Sequence, residues 1–297
     1  MKFLLTTTAI ISASVAAADG INYGRLSYDY TNFSDGTNDV DISVLQGSVE
    51  YQVSQFQVYA DLTSTAVDNG GSFDFQEYAF GAGYLATPEV LLGAGILGFS
   101  TDGFDSNGYE LFGQYQTAQF GLGLNVSVPD ADFDDETLTQ AFGEFTATPA
   151  VKLGVALEKY SEEDATLYTL SADYDEGPIT ARTYINSDSE TDGGIFGVRG
   201  SYEITQTFRA SVSYNTTYGD DLFDISFMGI GGGYRIADGV WFDADFGQIS
   251  SDLGPEDIDR IQATITLETG EQTRIDRRFL QDSVDDIQAG FASVFFF

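Results

Sequence analysis

Apolar and polar side chains alternate along almost the whole chain, in runs of about ten residues that end at turn residues. In residues 120–128, Phe, Leu and Val occupy every second position, and Gly121, Gly123, Asn125 and Ser127 fall between them. Side chains of a β-strand point alternately to opposite faces, so this pattern predicts a sheet with one apolar and one polar face. Because the polar face carries many charges, we predict a closed antiparallel up-and-down transmembrane β-barrel with lipid outside and water inside.

Turn residues divide the chain into sixteen predicted strands. They cover residues 21–33, 42–53, 56–63, 73–85, 90–98, 109–117, 120–128, 137–147, 151–160, 165–175, 179–187, 194–204, 207–218, 222–236, 240–249 and 287–297. Between Ser250 and Asp286, the alternation of apolar residues at 261–267 allows a further hairpin, which would make eighteen strands. Sixteen is favoured because residues 274–278 place arginines on both faces, and a lipid-facing arginine costs about 2–4 kcal/mol near the midplane.

Short, nearly neutral turns alternate with longer, acidic connections along the chain. In an up-and-down barrel these two kinds lie at opposite ends, and outer-membrane barrels keep the short turns on the periplasmic side. Tyrosines near the strand ends on the apolar face are predicted to lie at the membrane–water interface. They are Tyr28, Tyr30, Tyr51, Tyr84, Tyr109, Tyr174, Tyr202, Tyr214 and Tyr234.

Residues 1–18 have the features of a secretory signal peptide: Lys2, an apolar stretch and the small residues at 16–18. We therefore expect one barrel domain, residues 19–297. The 297-residue chain has a formal net charge of −35 and contains neither cysteine nor histidine. That charge repels nucleic acid and attracts cations. The usual Ser–His and Cys–His pairs cannot form, so we do not expect an enzyme.

The polar face is the predicted functional surface. Its basic residues are Arg25, Lys152, Arg182, Arg199 and Arg209. Its acidic residues are Asp29, Glu50, Asp61, Glu77, Glu110, Glu144, Glu158, Asp173, Glu203, Asp243 and Asp245. An unpaired buried charge costs several kcal/mol, so this set predicts a water-filled lumen and not a packed core. Arg182 and Arg199 lie near mid-strand and are the best candidates for basic groups that sieve solutes, unless each is paired with a neighbouring carboxylate.

Two further motifs, an acidic run and a glycine run, are candidates for binding sites. The acidic run 130–136 has alternate oxygens that could hold a loosely bound Ca²⁺, but it lacks the glycine and distal glutamate of an EF-hand loop. A solvated loop is the simpler interpretation. The run Gly231–Gly233 lacks the following lysine of a phosphate-binding loop, and it predicts a bulge or space for a bulky neighbour. No cofactor is expected.

The two ends of the chain resemble those of the general porins of Gram-negative outer membranes. The resemblance rests on the predicted signal peptide, on Tyr23-Gly24-Arg25, and on the alternation from Ile287 that ends at the terminal Phe297. It implies a sixteen-stranded barrel, a homotrimer, and outer-membrane lipid and lipopolysaccharide as surroundings. It also implies an inward-folded third loop, here residues 99–108 with Asp102 and Asp105, facing an arginine cluster. The residues that could form that cluster are Arg25, Arg182, Arg199 and Arg209.

These observations predict a passive outer-membrane channel for small hydrophilic solutes and ions. Excess carboxylate on the luminal face predicts a preference for cations. The predicted pore-lining residues are Arg25, Glu50, Asp61, Glu77, Glu110, Arg182, Arg199, Arg209, Asp243 and Asp245. The alternative, motivated by residues 250–286, is a non-channel barrel with a role in adhesion, structure or plugged ligand uptake.

Overall fold

The computed structural model describes residues 21–69, 71–101, 103–129, 137–161, 165–190, 193–219, 225–251 and 257–270. Every regular element in these ranges is a β-strand. The strands are β1 (Ile21–Ser34), β2 (Asp39–Val53), β3 (Phe56–Asp68), β4 (Ser72–Thr87), β5 (Val90–Thr101), β6 (Phe104–Gln116), β7 (Phe120–Pro129), β8 (Leu138–Thr148), β9 (Val151–Tyr160), β10 (Leu167–Glu176), β11 (Ile179–Asp188), β12 (Gly193–Thr205), β13 (Phe208–Gly219), β14 (Ile225–Ala237), β15 (Val240–Ser251) and β16 (Ile258–Gly270). None of the described residues belongs to a helix long and apolar enough to cross a membrane.

Each strand pairs antiparallel with its sequence neighbours, and β16 pairs with β1, so the sheet closes on itself. Closure gives every strand two hydrogen-bonded neighbours, which removes the sheet edges that hydrocarbon could not satisfy. The predicted fold, a closed antiparallel barrel of sixteen strands, is confirmed.

The strand that closes the barrel differs from the one predicted. Residues 287–297 were expected to close it, and residues 250–286 were expected to form a connection. Instead β16, within that connection, pairs with both β15 and β1. Ile261, Ala263, Ile265 and Leu267 lie on its outward face and Arg260 on its inward face, while the one outward charge, Asp259, lies at the loop end. Residues 271–297 lie outside the described residues, as does the predicted signal peptide.

The pairing register assigns one apolar and one polar face to the sheet. Residues directly opposite each other on neighbouring strands share a face of the sheet. The row of Leu26, Gly47 and Leu62 points outward, and the row of Arg25, Ser48 and Asp61 points inward. The outward face exposes many large apolar side chains, among them Leu122, Leu124, Ile230 and Phe246. All nine predicted interface tyrosines share this outward face. The outer surface is therefore the apolar belt of a transmembrane barrel.

The two ends of the barrel differ in their connections. At one end, here called the turn end, strands are joined by two or three residues, as at 54–55 and 88–89. At the other, the loop end, the connections contain two to eight residues. Gly177 and Gly239 occupy turn-end positions with φ of 62° and 71°, a conformation that favours glycine.

Cross-linking tests the closing strand, since the natural chain has no cysteine. Tyr28 and Ile265 are directly opposite across the β1–β16 seam. We expect Tyr28→Cys with Ile265→Cys to form a disulfide that leaves the barrel folded, because directly opposite strand residues lie within disulfide reach. The control pair, Tyr28→Cys with Ala244→Cys on β15, should stay reduced. Mass spectrometry and gel migration before and after reduction measure both, and a disulfide only in the control pair would contradict the seam.

Candidate functional site

The luminal face brings together all ten predicted pore-lining residues. Following the register around the barrel places each of them on the inward face of its strand. Alternation alone was sufficient for this result, because one face of every strand is apolar and the polar face must then point inward. That they line a conducting pore stays a prediction.

Several charged groups on this face contact water. The side chain of Lys152 is 51% exposed and that of Arg182 is 38% exposed, although both point away from the apolar belt. Arg199 is exposed as well. Exposure of inward cations requires solvent inside the barrel, since an ionised group without water or a partner is costly. The lumen is therefore wet at the level of these three residues.

Arg182 and Arg199 behave differently, although they are direct neighbours across β11 and β12. Arg182 is paired: its Nε lies 2.5 Å from Oδ1 of Asp173. No carboxylate among the described residues lies within 4.0 Å of the Arg199 guanidinium. Like charges directly opposite each other are unfavourable, and Asp173 offsets that repulsion on one side only. Arg199 therefore presents its charge to the lumen.

A bidentate ion pair joins Arg209 on β13 to Asp243 on β15. Nε and Nη2 of the arginine lie 2.8 and 2.6 Å from the two carboxylate oxygens, and the guanidinium stacks 4.3 Å from the ring centre of Trp241. β14, the strand between them, leaves space for the two side chains at Gly233. A Cβ at Gly233 would lie 2.3 Å from Asp243 Oδ1 and 2.7 Å from Arg209 Nε. No register shift occurs at the glycine run, so it provides space for this pair and is not a bulge.

Arg260 is a luminal residue that the sequence analysis missed. Its Nη2 lies 2.6 Å from Asp245 Oδ1, and its guanidinium stacks 4.0 Å from the ring centre of Phe227. The side chain is 8% exposed. It was missed because β16 was taken for a connection. The alternation from Ile261 to Leu267 was the signal that could have identified it.

Positive charge is unevenly distributed around the lumen. The chain contains no lysine or arginine between Arg25 and Lys152, a stretch that includes all of β2 to β8. The inward face of β2 to β8 nevertheless carries Glu50, Asp61, Glu77, Glu110 and Glu144. The inward basic residues all lie on β9 to β16 and β1: Lys152, Arg182, Arg199, Arg209, Arg235, Arg260 and Arg25. The strands β2 to β8 thus carry only acidic charges on their inward face, whereas on the other half Asp173, Asp243 and Asp245 are paired with arginines.

Large luminal rings lie flat against glycines on the neighbouring strand. Four such pairs are direct cross-strand partners: Tyr59 with Gly81, Phe112 with Gly93, Phe142 with Gly123, and Tyr184 with Gly197. A Cβ on any of these glycines would lie 2.1 to 2.4 Å from a ring atom. The missing side chains form recesses that keep bulky rings against the wall and out of the lumen. Inward glycines with aromatic partners set the free width of the barrel interior.

At the loop end, the inward face becomes apolar on neighbouring strands. A buried cluster there has members on β14 to β16 and β1 to β3: Phe33, Val40, Ile42, Val67, Ile225, Phe227, Ile249 and Ile258. Direct pairs such as Phe33 with Val40 pack across the strands. The sequence predicts few bulky apolar groups on the inward face, so this cluster is a departure from the predicted pattern at the loop end. The exposed luminal charges lie below this cluster, toward the turn end.

The predicted constriction loop is wrong. Residues 99–108 do not fold into the lumen: β5 runs through Thr101, β6 starts at Phe104, and only residues 102–103 connect them. Asp105 pairs with Ser100 on the outward face, where the serine hydroxyl donates to its carboxylate. Gly103, at a φ of 99°, allows this tight reversal. Asp102 lies outside the described residues.

The structure does not address the proposed calcium run, since residues 130–136 lie outside the described part of the chain. Among the residues that are described, no three Asp, Glu, His or Cys side chains lie close enough together to hold a metal ion.

The ring-on-glycine packing predicts a steric coupling at Gly123. We expect Gly123→Ala to lower the free energy of unfolding by about 1–3 kcal/mol, because the new Cβ overlaps the ring of Phe142. In the Phe142→Ala background the same substitution should have almost no effect. Gly143→Ala is the control, since its Cβ would meet its neighbours at 3.3 Å or more. Denaturant unfolding in detergent micelles measures all four variants, and equal losses with and without the ring would contradict the packing argument.

The comparison with solved structures supports the fold. No protein-family model matches the chain, and no curated protein matches it. Among solved structures, OpdQ of Pseudomonas aeruginosa is similar with a TM-score of 0.56 at 8% identity, over 84% of this chain and 99% of that one. A mutant of the Rh. blastica porin gives 0.54 at 14% identity, over 84% and 99%. The outer membrane protein OpdK of Pseudomonas aeruginosa gives 0.53 at 10% identity, over 83% and 97%. The chain therefore has the fold of outer-membrane porin barrels, as the resemblance in its sequence predicts.

Proposed function

We propose that this protein is a water-filled channel of the Gram-negative outer membrane that lets small hydrophilic solutes and ions diffuse through. The observation that carries this proposal is solvent-exposed charge on the inward face of a closed barrel with an apolar outer belt. Charged side chains are unfavourable in a packed core, whereas in a water-filled barrel they line a polar route through the hydrocarbon. The similarity of the fold to porin barrels supports the same assignment.

Selectivity for cations follows from the luminal charges. On β9 to β16, cations such as Arg182, Arg209 and Arg260 are already paired with carboxylates. The acidic half-wall of β2 to β8 has no basic side chain on its strands. A wall of one sign concentrates counter-ions in the lumen, and low-dielectric surroundings strengthen the effect. Cations are therefore expected to be enriched along β2 to β8.

The surroundings of the barrel are part of the proposal. The apolar belt would contact outer-membrane lipid, and lipopolysaccharide would contact the loop end. By resemblance to the general porins, the assembly in the membrane is a homotrimer. Native mass measurement in detergent tests that assembly directly.

Reversal potentials under a KCl gradient test the selectivity. We expect the unaltered channel to prefer potassium, and Arg199→Gln to raise the potassium-to-chloride permeability ratio by roughly fivefold, because a unit charge about 8 Å from the ion path contributes about 0.5 kcal/mol in water, with opposite sign for the two ions. Glu77→Gln, on the acidic half-wall, should lower the ratio.

The matched control is Lys159→Gln. This residue is directly opposite Thr139 and shares its outward face, so removing its charge should leave the permeability ratio unchanged. A chloride preference in the unaltered protein would overturn the selectivity. Absence of any single-channel current from correctly folded barrels would overturn the channel.

A further inference from the structure

A cavity of about 640 Å³ opens in the luminal wall at the turn end, between β2 and β6. Its volume is in the range of pockets that hold small molecules. Five glutamines line it: Gln52, Gln55, Gln57, Gln114 and Gln116. Glu89 is the one ionisable residue among its described lining residues. This region therefore differs from the charged luminal face described above.

Glycines beside the pocket let bulky side chains lie against the wall. On β4 and β5 the inward positions beside it are Gly81, Gly83, Gly93 and Gly95. The side chains of Tyr59, Leu91 and Phe112 lie across these glycines and form a buried apolar cluster. Leu91 is the direct partner of Leu85 on β4, and these two residues form the aliphatic part of the lining. The apolar floor of the pocket is thus formed by Leu85 and Leu91, which pack against the buried rings of Tyr59 and Phe112.

Amide groups flank that floor on both sides. Gln57 on β3 is directly opposite Gly83, and Gln114 on β6 is directly opposite Leu91. Gln57 is held in place, since its Nε2 donates to Glu50 Oε2 at 3.2 Å. Gln116 is solvent-exposed, and no described residue forms a hydrogen bond with its side-chain amide. Gln52 and Gln55 also form hydrogen bonds, with Asn22 and Tyr84, whereas the amide of Gln116 is open to solvent beside the apolar surface.

The chemistry of this lining selects one class of ligand. Each amide offers two donors and one acceptor without charge, which matches hydroxyl groups that both donate and accept. The apolar floor suits the C–H faces of a sugar ring, and specific pockets combine such a surface with a few polar groups. A charged solute would find a single carboxylate and no cation in the described lining. Neutral polyhydroxylated solutes satisfy both the amides and the floor.

We propose that this pocket is a binding site for neutral sugars of one or two rings, occupied as they pass the turn end of the lumen. The site rests on the proposed channel function, because the lumen is its route of access. A bound sugar would lie beside the passage and narrow it, so its occupancy is readable as a reduction in ion current.

The test uses the full protein in a planar bilayer with maltose as the probe. We expect maltose to produce transient, concentration-dependent reductions in current. Gln116→Ala should lower the association constant roughly fivefold, through the loss of one hydrogen bond to the sugar. Gly83→Val provides a second variant: a Cβ there would lie 2.6 Å from Leu91 Cδ1, so the leucine is pushed into the cavity and the block should disappear.

The control variant is Gln262→Ala. Gln262 is a luminal amide on β16, opposite Asp245 and away from the pocket, and its loss should leave the block unchanged. Gluconate, a charged polyol, is the control solute and should block at least tenfold more weakly than maltose. Equal block by gluconate, or equal loss in the Gln262→Ala variant, would overturn the site.

Calorimetric titration of maltose into the protein in detergent separates the two proposals. A current without maltose binding would leave the channel standing and overturn the sugar site. Maltose binding without a current would overturn the channel and support the site. Loss of the calorimetric signal in Gly83→Val, with heat-resistant gel migration retained, identifies the pocket and not misfolding as the cause.

Discussion

The hydrogen bonds between β1 and β16 are the constraint on which the rest of the structure depends. Without them, β1 and β16 would each present unpaired N–H and C=O groups to hydrocarbon, where each such group costs several kcal/mol. With them, the sheet has no edge, and the register that begins at Tyr23 and Gly270 fixes which face of every strand points inward. A shift of one residue at this seam would turn Arg25 and Asp29 toward lipid. Closure and face assignment are therefore one requirement.

Side-chain complementarity explains why β16 fits this seam. Thr264 donates to Asp29 at 2.5 Å, and the hydroxyl of Tyr23 donates to Glu268 at 3.0 Å. On its other side, Arg260 pairs with Asp245 of β15. The outward positions of β16 between Ile261 and Leu267 are apolar, so both faces of this part of the strand satisfy their surroundings.

Local alternation predicted most of the fold but could not select the last strand. Fifteen predicted strands overlap β1 to β15, because period-two patterning and turn residues are properties of short segments. The choice between residues 258–270 and 287–297 depended on partners more than two hundred residues away, such as Asp29 for Thr264. Both stretches alternate equally well. The prediction of an inward-folded third loop was wrong for a related reason. It followed the resemblance to the general porins, although Gly103 already indicated a tight turn.

The sequence predicts which face of the sheet each site residue occupies, but it does not predict which residues that side chain contacts. Alternation places Arg182 and Arg199 on the inward face, yet only the register shows that Asp173 lies beside Arg182 and that Arg199 has no such neighbour. In the same way, a sequence shows Gly93 and Phe112 as separate residues, nineteen positions apart, whereas the register makes them a packed pair.

Glycine and charge act together in this lumen. The wall formed by β2 to β8 lacks basic residues, so its carboxylates have no cation on their own strands. Glu77 is exposed to water, whereas Asp61 accepts a hydrogen bond from the Ser48 hydroxyl. The rings of Tyr59 and Phe112 stay against the wall because the inward glycines leave room for them. The opposite half-wall solves the same problem by pairing, as between Arg209 and Asp243. On the acidic wall itself, Glu50 is buried and accepts a hydrogen bond from Gln57. Water, side-chain hydrogen bonds and ion pairs together thus keep a highly charged interior compatible with a stable barrel.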